Sequence, residues 1–132
     1  MLLRPVVLRE QPSSSLTIPA KLEKYSDVGY VFVILTPDDV GGLKQDYHKA
    51  LISSKKIQNV IKDRARQNVM LEFGYFWGKI GRKRLCCLYK GEVEIPSDMQ
   101  GIIYEHFDDS IKECESRIII ELKEAGYCLS QV

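Results

Sequence analysis

The sequence carries almost no net charge: 19 Lys and Arg against 18 Asp and Glu leave +1 at pH 7. That balance gives no bulk attraction for nucleic acid or an anionic membrane, so neither is expected as a partner. Crossing a bilayer takes about 18 consecutive apolar residues, and no run comes near that length. The opening MLLRPVVLRE turns polar too soon for a secretory leader. The four cysteines (Cys86, Cys87, Cys114 and Cys128) form no CxxC pair. That spacing disfavours a zinc knuckle or a thioredoxin-like motif. His48 and His106 lack metal-ligand spacing, so no metal is expected. P-loop and GxGxxG motifs are missing, and the serines at 13 to 15 have no GxSxG context. Those absences disfavour an ATPase, a standard dinucleotide-binding half and a serine hydrolase.

What remains is ordinary globular material. The chain has 132 residues, 45% hydrophobic and 28% charged. That length suits one domain, 1–132, with a core that needs no staples. Cys86 and Cys87 lie in an apolar run, where free thiols behave as small hydrophobes. A reduced, cytoplasmic protein is the expectation.

The pattern along the chain alternates strands and helices. Pro5 to Leu8 reads as a short strand that feeds the polar loop Arg9 to Leu16. Thr17 suits a helix N-cap and Pro19 the first turn. In that helix Ile18, Leu22 and Tyr25 share a face, while Lys21, Glu23 and Lys24 face water. Tyr30 to Leu35 is continuously apolar and reads as a strand covered on both sides. Thr36 to Gly42 follows as a loop, and 43–63 as a partly helical surface excursion. Arg64 to Ile80 is the strongest helix signal, with Gly81 as its stop. Leu85 to Tyr89 is a second buried strand, and Ile102 to Glu105 a short one. Ile111 to Ala125 is an amphipathic helix closed by Gly126. This order argues for an α/β protein with a parallel sheet flanked by helices. Ligands bind such sheets beyond the carboxyl ends of the strands. The rule points to Arg9–Leu16 and Thr36–Gly42.

Glu72 stands out because it interrupts the apolar stretch Val69 to Trp77. Helical geometry sets Asn68 and Tyr75 or Phe76 beside it, with Arg66 less than two turns earlier. Two readings stand. Glu72 marks the solvent stripe of an amphipathic helix, or it is a carboxylate beside an apolar cleft whose proton affinity is put to use. Gly74 and Gly78 each weaken a helix by about 1 kcal/mol, which suggests close approach to the sheet or a neighbour. Asp38 and Asp39 suit a turn, but their place after a buried strand also suits contact with ribose or phosphate.

Three segments, EKYSDVGYVFVILTPDDVG, RARQNVMLEFGYFWGKIGR and LYKGEVEIPSDMQGIIY, together with the C-terminal ELKEAGY, resemble bacterial TIR-like domains. These form a predicted nucleotide-binding group that includes the TIR domains fused to bacterial STING. The resemblance runs from about Val6 to Gly126. It implies a flavodoxin-like TIR fold and, in many members, NAD+ glycohydrolase activity in antiviral defence. NAD+ would be the substrate, with no further cofactor. The resemblance makes Glu72 the catalytic glutamate. It sets Thr36, Asp38, Asp39, Arg66 and Asn68 near the nucleotide. It also makes Arg9, Glu10, Gln11 and Ser14 part of a self-assembly loop. Family members are switched on by ordered self-association, often through a sensor domain. This sequence departs from the family in beginning without the usual first strand and helix. It also has Trp77 where an aliphatic residue is expected, which we assign to packing. The alternative to an enzyme is a catalytically inactive nucleotide-binding or assembly module on the same fold.

Overall fold

The computed structural model describes residues 3–12, 16–99 and 101–129. Three parallel strands form its sheet: β1 (Val31–Leu35), β4 (Leu85–Lys90) and β5 (Ile103–Phe107), in the order β1-β4-β5. Two shorter strands, β2 (Asp39–Gly41) and β3 (Lys62–Arg64), pair antiparallel apart from it. The helices are α1 (Ile18–Lys24), α2 (Lys44–Ile52), α3 (Gln67–Ile80) and α4 (Glu115–Glu124).

β4 lies in the middle, and Leu85, Cys86, Cys87 and Leu88 are all fully buried. A strand with no exposed face has no reason to alternate, which is why LCCL is apolar throughout. On one face Val33, Leu35, Leu85 and Cys87 meet Leu22 of α1 and Phe73 and Phe76 of α3. On the other, Cys86, Leu88 and Phe107 meet Cys114 and Ile118 at the start of α4. This is the expected parallel sheet flanked by helices. Burial pushes both the Cys86 and Cys87 thiols up to about 12, so they act as hydrophobes. Trp77 packs against the core with its ring 6.5 Å from that of Phe73.

Local chemistry sets the helix ends. The Thr17 hydroxyl accepts from the Ala20 amide at 3.3 Å and caps α1. Gly81, at φ 81°, stops α3 in a conformation open to glycine. Ser110 and Glu113 form a reciprocal capping box before α4. The Glu113 carboxylate accepts from the amides of Asp108, Asp109 and Ser110, which holds its pKa down at about 2.

Several expectations need correction. Pro5 to Leu8 is no strand: Val7 is extended, but Leu8–Glu10 turns as a 3-10 helix, and no strand among the described residues pairs with the run. Pro5 lacks a donor, and so short a run gains little without a neighbouring ladder. Arg9–Leu16 therefore follows no sheet strand. The loop Thr36–Gly42 contains β2, and the helix predicted from Arg64 begins at Gln67 because Lys62–Arg64 is drawn into β3. Within the excursion, Gly42 is a tight point. A Cβ there would stand 2.3 Å from the Val60 carbonyl oxygen. The α4 face also holds a charge where only apolar residues were expected. Glu121 is 7% exposed. It accepts from the Tyr30 hydroxyl at 3.2 Å and from Arg117 at 3.3 Å, and Arg117 also reaches Glu105 at 3.3 Å. Burial, followed by the Glu121 charge, raises the Tyr30 pKa.

Phe73 is fully buried between α3 and the sheet. Phe73→Ala should lower unfolding stability by about 3–5 kcal/mol in urea titration. A loss too small to resolve would mean that α3 does not seal this core.

Candidate functional site

The carboxyl end of β1 and the start of α3 converge. Thr36 follows β1 directly, and its hydroxyl donates to the Asp38 carboxylate. The Asp38 amide donates to the Thr36 carbonyl at 2.8 Å, which closes a tight turn. Arg66, the N-cap residue of α3, places Nε 3.6 Å from Asp38 Oδ2. Both side chains are well exposed, so the pair contributes little to stability and remains open to a ligand. Asp39 begins β2 and pairs in register with Arg64. Arg64 in turn bonds Glu94, whose amide donates to the Asp63 carbonyl at 2.7 Å. The turn is thus braced by β2–β3 and by the loop after β4.

Glu72 sits on α3, about 9 Å along the helix axis from Arg66 at 1.5 Å per residue. It is half-buried. Burial raises its pKa above the ordinary 4.5, and the Lys21 charge opposes that rise. Lys21 belongs to α1 and is half-buried rather than fully in water, and its charge acts on Glu72. Asn68 is exposed on the first turn of α3.

Thr36, Asp38 and Arg66 therefore form one cluster. Asp39 adjoins it through the backbone, Glu72 lies further along the same helix, and Asn68 between them makes no described contact. Arg9 and Glu10 are exposed, and the Gln11 side chain donates to the Val7 carbonyl at 3.1 Å. Ser14 lies outside the described residues. Open concavities of about 320 Å³ and 510 Å³ occur elsewhere, against Tyr127 and against Lys55. Neither has a carboxylate or histidine in its lining. No cluster able to hold a metal occurs among the described residues. No described helix is long and apolar enough to cross a membrane.

A family model described as "CAP12/Pycsar effector protein, TIR domain" matches residues 1–109, which include the whole cluster and Glu72. The chain belongs to this TIR-domain family. The TIR domain is 40% identical over 125 residues to the uncharacterized protein YuaY of Escherichia coli K12, covering 94% of this chain and 38% of YuaY. It is 32% identical over 121 residues to protein tirC of Dictyostelium discoideum, covering 86% of this chain and 56% of tirC. It is 31% identical over 65 residues to CD-NTase-associated protein 12 of Flavobacterium daejeonense, covering 46% of this chain and 21% of that protein. The TIR domain thus spans from about a fifth to just over half of these relatives. No solved structure matches it significantly.

Two features of this TIR domain escaped the sequence reading. The Lys21–Glu72 approach joins two helices remote in the chain, and only the expected packing of α1 on the sheet hinted at it. The β2–β3 brace is too short to show a period. Gly74 and Gly78 also differ from expectation: an added Cβ at either would meet nothing within 4 Å. They serve no close packing among the described residues. Gly74→Ala and Gly78→Ala should each stabilise the protein by about 0.5–1 kcal/mol, read as a higher urea midpoint. Destabilisation by either would show that the added methyl meets something this geometry lacks.

Proposed function

We propose that this TIR domain cleaves the nicotinamide–ribose bond of NAD+ in antiviral defence, with Glu72 as the catalytic carboxylate. The supporting observation is the half-buried Glu72, whose proton affinity is raised by desolvation, on the helix that begins at the Thr36–Asp38–Arg66 cluster. The family description, an effector TIR domain, agrees with this reading.

The chemistry asks for one carboxylate and no metal. The bond between the ribose anomeric carbon and the nicotinamide nitrogen breaks. Its electron pair goes to the nitrogen and cancels the positive charge there, so the leaving group needs no acid. Positive charge develops on the sugar, as in glycoside hydrolysis. An ionised Glu72 stabilises that charge, or orders the ribose hydroxyls. Water then adds at the anomeric carbon and releases a proton. Arg66 supplies a cation suited to the pyrophosphate. Asp38 and Thr36 offer polar atoms for ribose, with Asp39 and Asn68 at the margin. Activity follows self-association, to which exposed Arg9 and Glu10 contribute with Gln11 and Ser14, and a sensor domain or protein supplies the trigger.

The test is incubation of the concentrated protein with NAD+ and measurement of released nicotinamide. Glu72→Ala should lower the rate by about 10²–10³-fold without unfolding the protein. Retained activity in that variant removes Glu72 from the mechanism. The alternative, a silent nucleotide-binding or assembly module, draws support from the open concavities that lie away from Glu72. It predicts NAD+ binding or self-association with no nicotinamide release.

The pH dependence follows from the direction of the Glu72 shift. The working form is the carboxylate, so activity rises with pH, and its acid limb lies above the ordinary value of 4.5. Lys21→Met removes an opposing cation and should move that limb to higher pH. An unmoved limb would mean that Lys21 does not act on the titrating group. The same shift has a stability sign. A carboxylate whose pKa is raised by folding opposes folding once it ionises. Glu72→Gln should therefore be more stable than the parent at neutral pH, and the advantage should vanish below pH 4.5. The gain is modest because water still reaches the group.

A further inference from the structure

Three segments meet behind the Asp38–Arg66 pair. Arg64 ends β3 two residues before Arg66, and its register partner Asp39 follows Asp38 directly. Ala65, between the two arginines, is buried in the core and pins the backbone there. The third segment is the loop after β4. Val93 is buried, and the Glu94 amide donates to the Asp63 carbonyl at 2.7 Å, so Glu94 is a fixed post. Arg64 donates through Nε to the Glu94 carboxylate. It gets there by lying across Gly41. A Cβ added at Gly41 would stand 2.8 Å from Arg64 Nη1 and 3.0 Å from its Cδ. The Gly41 backbone is outside the left-handed region, so its conformation is open to other residues. What favours glycine there is the arginine above it.

We infer that the Arg64–Glu94 pair, laid across Gly41, is a positioning clasp that holds Arg66 where it meets the pyrophosphate of NAD+. The inference rests on the proposed reading of Arg66 as a phosphate contact. Stability does not account for the pair. Its side chains are 39% and 31% exposed, and ion pairs so placed add little to folding. What the pair supplies is restraint. Arg66 itself is 68% exposed, and its contact with Asp38 is 3.6 Å long. Its direction therefore depends on the ladder behind it. An arginine held in place beforehand loses less freedom when a ligand binds. The pyrophosphate is remote from the breaking bond, so its contact with Arg66 is alike in the ground state and the transition state. Loss of the clasp is therefore felt in binding and not in the chemical step.

Two variants test it. Glu94→Gln removes the charge of the post, and Gly41→Ala sets a methyl where the guanidinium lies. The first readout is amide exchange without ligand. The Asp38 amide, which closes the turn on Thr36, should exchange about 10-fold faster in each variant. Exchange at Cys86–Leu88 and the urea midpoint should stay as in the parent. The second readout is steady-state release of nicotinamide. KM for NAD+ should rise about 10-fold, as for one misplaced charge-assisted bond. The value of kcat should stay within about two-fold of the parent. The double variant should be no worse than either single one, because both act on one contact. Unchanged exchange at Asp38 overturns the inference, whatever happens to NAD+. Faster exchange with an unchanged KM overturns it too. So does a fall in kcat together with the urea midpoint, which marks a structural prop. A parent that binds NAD+ but releases no nicotinamide refutes the proposed cleavage instead. Calorimetric titration of NAD+ onto the same variants then replaces KM, and equal affinities overturn the clasp. A parent that does not bind NAD+ overturns both readings.

Discussion

The burial of β4 on both faces is the constraint from which the rest of this domain follows. Leu85 to Leu88 give four consecutive side chains no access to water, alternately toward α3 and toward α4. Such a strand needs a parallel neighbour on each side and a helix over each face. β1 and β5 supply the neighbours, and α3 and α4 the covers. The site inherits its position from this arrangement. The carboxyl end of β1 must emerge beside the start of α3, and that brings Thr36 and Asp38 to Arg66.

How much the sequence revealed follows the same division. LCCL is legible because burial on both faces leaves an unbroken apolar run. VFVIL, expected to be covered on both sides, has Val33 and Leu35 buried but Ile34 44% exposed at the edge of the sheet. The long helix is legible because Phe73 and Phe76 repeat on one face toward Gly81. Thr17 marked a helix start through side-chain chemistry. Other features depend on partners that no local pattern names. Lys62–Arg64 is a charged triplet that becomes a strand only because Asp39–Gly41 lies opposite. Pro5–Leu8 has strand composition and lacks a ladder. Glu121 looks like the polar side of a helix, yet Tyr30, 91 residues away, makes its burial tolerable.

Glu72 shows the same limit at the site. Periodicity alone left it between a solvent stripe and a working carboxylate. The resemblance to TIR-like domains singled it out, and the family match covers it. The structure adds what neither could: half-burial, a raised proton affinity and an opposing lysine from a separate helix. Partial burial raises the proton affinity of the carboxylate and the lysine opposes that rise.

The β2–β3 ladder has a consequence for how such a domain diversifies. Gly41 pairs with Lys62, so the twenty-residue stretch between them leaves and returns at one fixed point. α2 lies wholly within it, and Val40, Leu43 and Leu51 present apolar surface outward. Lengthening a loop whose ends are clasped adds little entropy cost. The stretch is therefore a replaceable cassette: its helix can be exchanged, extended or deleted while Asp38 and Arg66 keep their spacing. Changes in the excursion can accumulate there without moving the turn at its base.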